Sequence, residues 1–387
     1  MQGRQRRRCD DFLLLCLLSG LLAGSAPLPA QEAAGQSHRG RGQPLLVAAA
    51  AQSQKKTSSR RRRRRARFSV PSSVNPTRKD RMEGEDPAVR AVAVQALGRT
   101  NGSVVVVEAE TGRTLTVVNQ PLAFSAGFKP CSTIKLAVAL GALEEGLITG
   151  DTLLRVSAYQ SINLTEALAY SNNRFFEVLG KRLGFEKVAA YARRLGFGER
   201  AGYLMEDEYP GAFPAQPPAK GGVGRLSSFG EEVKATPLQL AAMMAAFANG
   251  GTLYYLQVPR PKEQGGRFKP RVKRHLPIQR WLPELRAGLQ AAVIFGTARS
   301  SAEGDERILG KTGTCAGERA KLGWFASYGE LPTGKRVAVV VLLRGGRSFS
   351  GGKAAEVAGK VYRGLSRKFL LANDPRTPES VVPRSNQ

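Results

Sequence analysis

Histidine is nearly absent from this chain of 387 residues, which has only His38 and His275. That excludes a His-rich metal centre. A Ser-His-Asp triad would rest on His275 alone, because His38 falls in a stretch read below as unfolded. Cysteine is also scarce. Cys9, Cys16, Cys131 and Cys315 fall in two distant pairs and do not make a zinc-ribbon spacing. Acidic residues number 31 against 59 Lys and Arg, a formal net charge of +28. Such a chain is drawn to acidic polymers and anionic surfaces. Apolar residues are not lacking: at 42% they allow a sizeable core.

The charge is unevenly placed. Residues 1–90 hold 19 Lys and Arg against 7 Asp and Glu. Arg4, Arg6, Arg7 and Arg8 precede an apolar run from Phe12 to Ala26, and a cut after Ala30 completes the pattern of a secretory signal over residues 1–30. The run is shorter than the about 20 residues a spanning helix needs, although an uncleaved anchor stays open. Cys9 and Cys16 would leave with the signal. Residues 31–88 read as a disordered basic tail, with six consecutive arginines from Arg60 to Arg65. No aromatic residues interleave that run to stack bases, so no nucleic acid is expected as a partner. The tail reads as a tether attracted to acidic envelope polymers or anionic lipid.

Residues 89–371 read as one folded domain, followed by a flexible tail over 372–387. Gly102 to Glu108 and Arg113 to Asn119 are β-rich runs around the turn Glu110-Thr111-Gly112, a hairpin pattern. Ser132 to Glu145, Leu164 to Leu179, Phe185 to Leu195 and Trp281 to Ala298 have helical spacing. Ala212 to Gly224 is a Pro/Gly-rich loop. Thr236 as N-cap, Pro237 in the first turn and Gly250 past the end bracket another helix. Ile308 to Cys315, Leu322 to Gly329 and Lys335 to Leu343 read as strands, and Lys353 to Leu371 as a closing helix. Two strands, many helices, then three strands predict an α+β fold: one antiparallel sheet from both ends of the chain, flanked by helices.

Three polar clusters could do chemistry. Ser132 and Lys135, three residues apart at a helix start, share a face. A serine becomes a nucleophile when a base takes its proton, and a desolvated lysine near other cations can be that base. Read blandly, the pair is a helix cap with a solvated lysine. Ser171-Asn172-Asn173 is either a polar break between helices or a proton relay (Ser171) with an amide-binding side chain (Asn173). Lys311-Thr312-Gly313-Thr314 fails as a P-loop, because no glycine stands five residues before Gly310 and strands follow. On an edge strand beside Ser132, Lys311 supplies positive charge for a carboxylate. Gly313 admits substrate to the backbone. Thr314 offers a hydroxyl and an N–H that, with the Ser132 N–H, can form an oxyanion hole.

In this order, Ser-x-x-Lys, Ser-x-Asn and Lys-Thr-Gly resemble the penicillin-binding protein and serine β-lactamase superfamily. The stretches KPCSTIK, GRLSSFGEEVKATPLQLAAMMAAFANGG, FGTARSSAEG and LGWFASYGE are similar to segments of its transpeptidases. The resemblance covers about Gly102 to Leu343. It implies an antiparallel sheet with an all-helical lobe, no cofactor and no metal. It implies a D-Ala-D-Ala transpeptidase or carboxypeptidase acting on peptidoglycan stem peptides in the periplasm or another extracytoplasmic space, with β-lactams as covalent ligands. Ser132, Lys135 and Ser171 would be catalytic; Asn173, Lys311, Thr312, Gly313 and Thr314 would bind substrate.

The chain departs from the family in three ways. Ser171 follows Ser132 closely, which implies a trimmed helical insertion. Gly230-Glu231-Glu232 stands where Gly-Gln-Gly is usual. No glycan-polymerising domain fits within residues 31–90, so a stripped-down member is expected. The docking the family implies would bring Cys131 and Cys315 together as a disulfide, a bridge also seen in some class A β-lactamases. A β-lactamase is therefore the alternative reading, with Glu206, Asp207 or Glu208 as the base for water, unless these form a solvated acidic turn. A non-catalytic β-lactam-binding scaffold is the second alternative.

Overall fold

The two longest valine-rich stretches of the chain pair with each other. In the computed structural model, which describes residues 69–259, 268–302 and 307–372, Gly102 to Glu108 runs antiparallel to Val337 to Leu343, with Val105 opposite Val340. The signal segment, Cys9, Cys16, His38, Arg60–Arg65 and residues 373–387 lie outside the described residues.

In chain order the elements are α1 (Pro87–Leu97), β1 (Gly102–Glu108), β2 (Thr114–Val118), α2 (Gln120–Phe124), a 3-10 turn (Cys131–Ile134), α3 (Lys135–Glu144), β3 (Leu154–Arg155), β4 (Ser161–Ile162), α4 (Leu164–Ala169), α5 (Asn173–Leu183), α6 (Phe185–Arg194), α7 (Gly222–Phe229), α8 (Pro237–Asn249), β5 (Thr252–Tyr254), β6 (Val272–His275), α9 (Leu282–Ile294), β7 (Arg307–Ala316), β8 (Lys321–Glu330), β9 (Arg336–Gly345) and α10 (Gly351–Ala372). The main sheet has the order β2-β1-β9-β8-β7, with antiparallel pairing throughout.

Both faces of this sheet are covered, which is why its central strands read as unbroken apolar runs. Val105, Val107, Trp324, Val340 and Leu342 face a core shared with α3 to α9. Val104, Val106, Phe325, Val339 and Val341 face a second core built with α1 and α10. The alternation is the two-residue period of a strand. The larger core contains the helical lobe. Within it α8 is capped as its sequence implies: Thr236 Oγ1 accepts from Gln239 N, the Gln239 side chain accepts from Thr236 N, and Gly250 closes the end in the left-handed region.

Four boundaries differ from those expected. The described, packed chain begins before residue 89. Asp80 and Glu85 bind the buried Arg90 at 2.8 and 2.7 Å, and Pro87 starts α1 behind an Asp86 cap. Few apolar residues mark that segment, so composition alone hid it. The expected helix from Leu164 to Leu179 breaks into α4 and α5, because Ser171 takes φ +57 and Asn172 caps the second helix through Phe175 N. The expected loop from Ala212 to Gly224 yields to α7 at Gly222. The expected helix from Trp281 to Ala298 ends at Ile294, ahead of Gly296.

Candidate active site

The 3-10 turn places Ser132 one turn ahead of Lys135, and the buried α3 carries Lys135 inward. Lys135 Nζ lies 3.1 Å from Ser132 Oγ. It also lies 3.1 Å from Ser171 Oγ, 2.7 Å from the Ser171 carbonyl and 2.7 Å from Asn173 Oδ1. The break between α4 and α5 creates this arrangement. The left-handed Ser171 turns its carbonyl and hydroxyl toward the same ammonium, while Asn173 reaches it from the first residue of α5. Lys135 also stands over the Phe176 ring at 5.5 Å.

Burial, and then the charge of Lys311, hold Lys135 well below its ordinary value of 10.5; Glu177 opposes them. Burial alone lowers Lys311 to about 7. Its Nζ donates to the Thr312 carbonyl at 3.0 Å.

Strand β7 is an edge strand of the sheet, and it runs against the residues preceding Ser132. A Cβ on Gly313 would stand 3.0 Å from Pro130 O and 3.3 Å from Cys131 Cβ, so only glycine allows the close approach without a shift. Cys131 and Cys315 are joined, with Cα atoms 5.6 Å apart. The Thr312 hydroxyl meets Thr297 Oγ1 at 2.6 Å. The exposed Thr314 accepts from Gly351 N at 2.7 Å, at the start of α10.

Ser132, Lys135, Ser171 and Asn173 thus make direct contact. Lys311, Thr312, Gly313 and Thr314 line the adjoining edge. The acidic turn does not behave as one solvated unit. Glu206 and Asp207 are exposed, but Glu208 is buried and accepts from Ala201 N and Gly202 N at 2.9 and 2.6 Å. Burial raises its pKa against the pull of those two bonds. His275 sits on β6, 3.4 Å from the Thr252 hydroxyl. Among the described residues, no group of three or more His, Cys, Asp or Glu could hold a metal ion.

Several supporting residues carry no signal at the level of spacing. Trp324 Nε1 donates to the Lys129 carbonyl at 3.0 Å, pinning the loop before Ser132. Glu231, in the altered Gly-Glu-Glu stretch, binds Lys129 at 2.8 Å and Arg225 at 2.9 Å. Thr297 lies in the FGTARSSAEG stretch, but nothing in its position announces a bond to Thr312.

The first two motifs meet at Lys135, the third lies on the sheet edge beside them, and this order of motifs on this sheet is matched by one family. The family model for the penicillin binding protein transpeptidase domain matches residues 102–363, and the chain belongs to that family.

Its relatives include stage V sporulation protein D of Bacillus subtilis, 28% identical over 70% of this chain and 46% of that protein. The peptidoglycan D,D-transpeptidase MrdA of Acinetobacter baumannii is 24% identical over 74% of this chain and 54% of its own length. The chain spans about half the length of the curated relatives it matches. Among solved structures, PBPA of Mycobacterium tuberculosis shares the fold with a TM-score of 0.64 at 21% identity, covering 73% of this chain and 81% of that one. The D,D-transpeptidase domain of a peptidoglycan glycosyltransferase from Eggerthella lenta has a TM-score of 0.62 at 21% identity, covering 74% and 82%.

Proposed function

We propose that this protein is a peptidoglycan D,D-transpeptidase working through a serine acyl-enzyme. The observation that carries the reading is the buried Lys135 ammonium within 3.1 Å of both the Ser132 and Ser171 hydroxyls. Neutral Lys135 takes the Ser132 proton. Ser132 Oγ then bonds to the carbonyl carbon of the penultimate D-Ala of a stem peptide. The Ser132 and Thr314 N–H groups hold the oxyanion. The C–N bond breaks, and the proton passes through Ser171 to the departing D-Ala amine. Lys311 and Thr314 hold the terminal carboxylate, while Asn173 binds the peptide amide. A β-lactam follows the same path and leaves its acyl group on Ser132. The family match and the names of the relatives support the reading.

The work is done outside the cytoplasm, as the basic-apolar N-terminus implies, with Arg60–Arg65 drawn to acidic envelope polymers or anionic lipid. Trimming of stem peptides without crosslinking is the same chemistry with water as acceptor. Of the three carboxylates weighed as a base for water in a β-lactam hydrolase, the buried one, Glu208, has both oxygens engaged by backbone N–H groups, and Glu206 and Asp207 stand in solvent. The test is covalent labelling by fluorescent penicillin. The wild type takes up one label that persists, and Ser132→Ala takes none. No label on the wild type refutes acyl-enzyme chemistry; rapid loss of label with steady turnover of a chromogenic β-lactam refutes the transpeptidase reading.

A further inference from the structure

The segment that presents Ser132 holds a backbone conformation that its residues rarely adopt alone. Cys131 takes φ +54, in the left-handed region that is costly for a residue with a side chain. Such a residue persists only where its surroundings over-determine it. Several of the fasteners here are main-chain bonds or covalent. Phe128 and Ala235 exchange N–H to carbonyl bonds at 2.8 Å in both directions. Trp324 holds the Lys129 carbonyl, and Cys131 is bonded to Cys315.

One fastener is ionic, and it lies where the sequence departs from the usual Gly-Gln-Gly. In Gly230-Glu231-Glu232 the first and third residues are left-handed, at φ +65 and +62. Val233 N closes the turn on the Gly230 carbonyl at 3.1 Å. Gly230 lies directly against Pro130, where a Cβ would stand 2.4 Å from Pro130 Cγ. The turn aims Glu231 at two cations from different segments. Its Oε1 accepts from Lys129 Nζ at 2.8 Å, and its Oε2 accepts from Arg225 Nη2 and Nε at 2.9 and 3.1 Å. Arg225 lies in α7 and stands over the Phe229 ring at 5.1 Å, so the carboxylate ties the segment before Ser132 to a helix. Burial pushes the Glu231 carboxyl up, but the bonds and charges of Lys129 and Arg225 outweigh it and hold the group below its ordinary value of 4.5. A glutamine here would bring one accepting oxygen and no charge.

We propose that Glu231 is a positioning residue for acylation: by bridging Lys129 and Arg225 it holds the chain entering Cys131 in the conformation that presents Ser132 to Lys135. The inference rests on the function proposed above. Ser132 follows Cys131 directly, so a rotation at Cys131 carries the Ser132 hydroxyl away from Lys135 Nζ and its N–H away from the developing oxyanion. The disulfide limits how far Cys131 can move from β7, and the ion pair fixes how the chain enters it. Glu231 touches neither the nucleophile nor its base, so its loss acts on the bond-forming step and not on the capture of the β-lactam.

The test is stopped-flow acylation of the full chain by penicillin, read as the prior dissociation constant and the saturating rate constant. Glu231→Ala and Lys129→Met each lower the rate constant about 10-fold and change the dissociation constant less than about 2-fold. Glu231→Gln, which keeps the volume and loses the charge, is slowed as well. The double change Glu231→Ala with Lys129→Met loses no more than either alone, because the pair acts as one unit. A fall in stability alone would lower the fraction labelled and leave the rate constant of the labelled fraction as in the wild type. Rate constants equal to the wild type, losses that add in the double variant, or a loss confined to the dissociation constant overturns the inference while the acyl-enzyme stands. A wild type that forms no acyl-enzyme overturns the proposed function and, with it, this role.

Discussion

Lys135 and Lys311 are both buried and near enough for the charge of one to act on the other, and among the described residues neither ammonium is paired with a carboxylate. Each is held by neutral oxygens, and the charge on Lys311 makes Lys135 a weaker base for protons, hence more often neutral and ready to accept one.

Acylation by penicillin should therefore rise with pH through the lowered pKa of Lys135. Lys311→Gln removes the neighbouring charge, so the rising limb of the rate–pH profile should move to higher pH while binding of the carboxylate weakens. A limb that stays in place shows that Lys311 does not tune Lys135. Stopped-flow acylation rates over a pH series provide the measurement.

Lys311 also bears on stability. Its folded pKa of about 7 lies below its ordinary value of 10.5, so between these values the unfolded chain binds the extra proton. The folded state loses ground as pH falls through that window, and the loss stops growing below about pH 7, where both states are charged. Lys311→Met should raise Tm relative to wild type most at about pH 6, with the gain vanishing by about pH 11. An equal gain at every pH would contradict this. The melting difference across the series decides it.

The bond between Cys131 and Cys315 closes a separation of 184 residues. Reductant, or the double change Cys131→Ser with Cys315→Ser, should lower Tm by roughly 5–15 °C. It should also slow acylation, because the bridge ties the residue before Ser132 to the residue after Thr314. Identical melting and identical rates with and without reductant would show that the bridge does neither.

Arg90 carries two buried carboxylates, and these in turn hold the chain around them. Glu85 accepts from the Thr116 hydroxyl and Val117 N, and Asp80 from Asn119 N and Gln120 N. Arg90→Met should destabilise by about 3–5 kcal/mol, since two buried carboxylates lose the cation that balances their charge. A chain starting at residue 69 should melt well above one starting at residue 87. Equal denaturation midpoints for the two would contradict a clamping role.

The strands and the longer helices were legible because their signals are local. Valine runs, a Thr-Pro start and a Gly-Gly stop are read without knowing what they pack against. The three motifs could be read as a set from their order, and the bonding of Ser132, Lys135, Ser171 and Asn173 follows from a turn in one segment meeting a helix in another. The segment from residue 69 to 88 reads as tail because its order comes from one long-range cluster around Arg90, and composition reports only local tendencies. Ser171-Asn172-Asn173 reads equally as a polar break or as a proton relay, since a left-handed serine leaves no mark on hydropathy. The bond between Thr297 and Thr312 depends on which loop lands beside β7, which spacing does not reveal.

Strand β1 is made early and β9 late, yet β9 is the neighbour that covers one side of β1. A nascent or truncated chain that stops short of Arg336 leaves β1 with an unsatisfied ladder of N–H and carbonyl groups along a valine-rich edge. Such a fragment has the makings of a self-associating ribbon, and only the arrival of the last strand withdraws that invitation to aggregate.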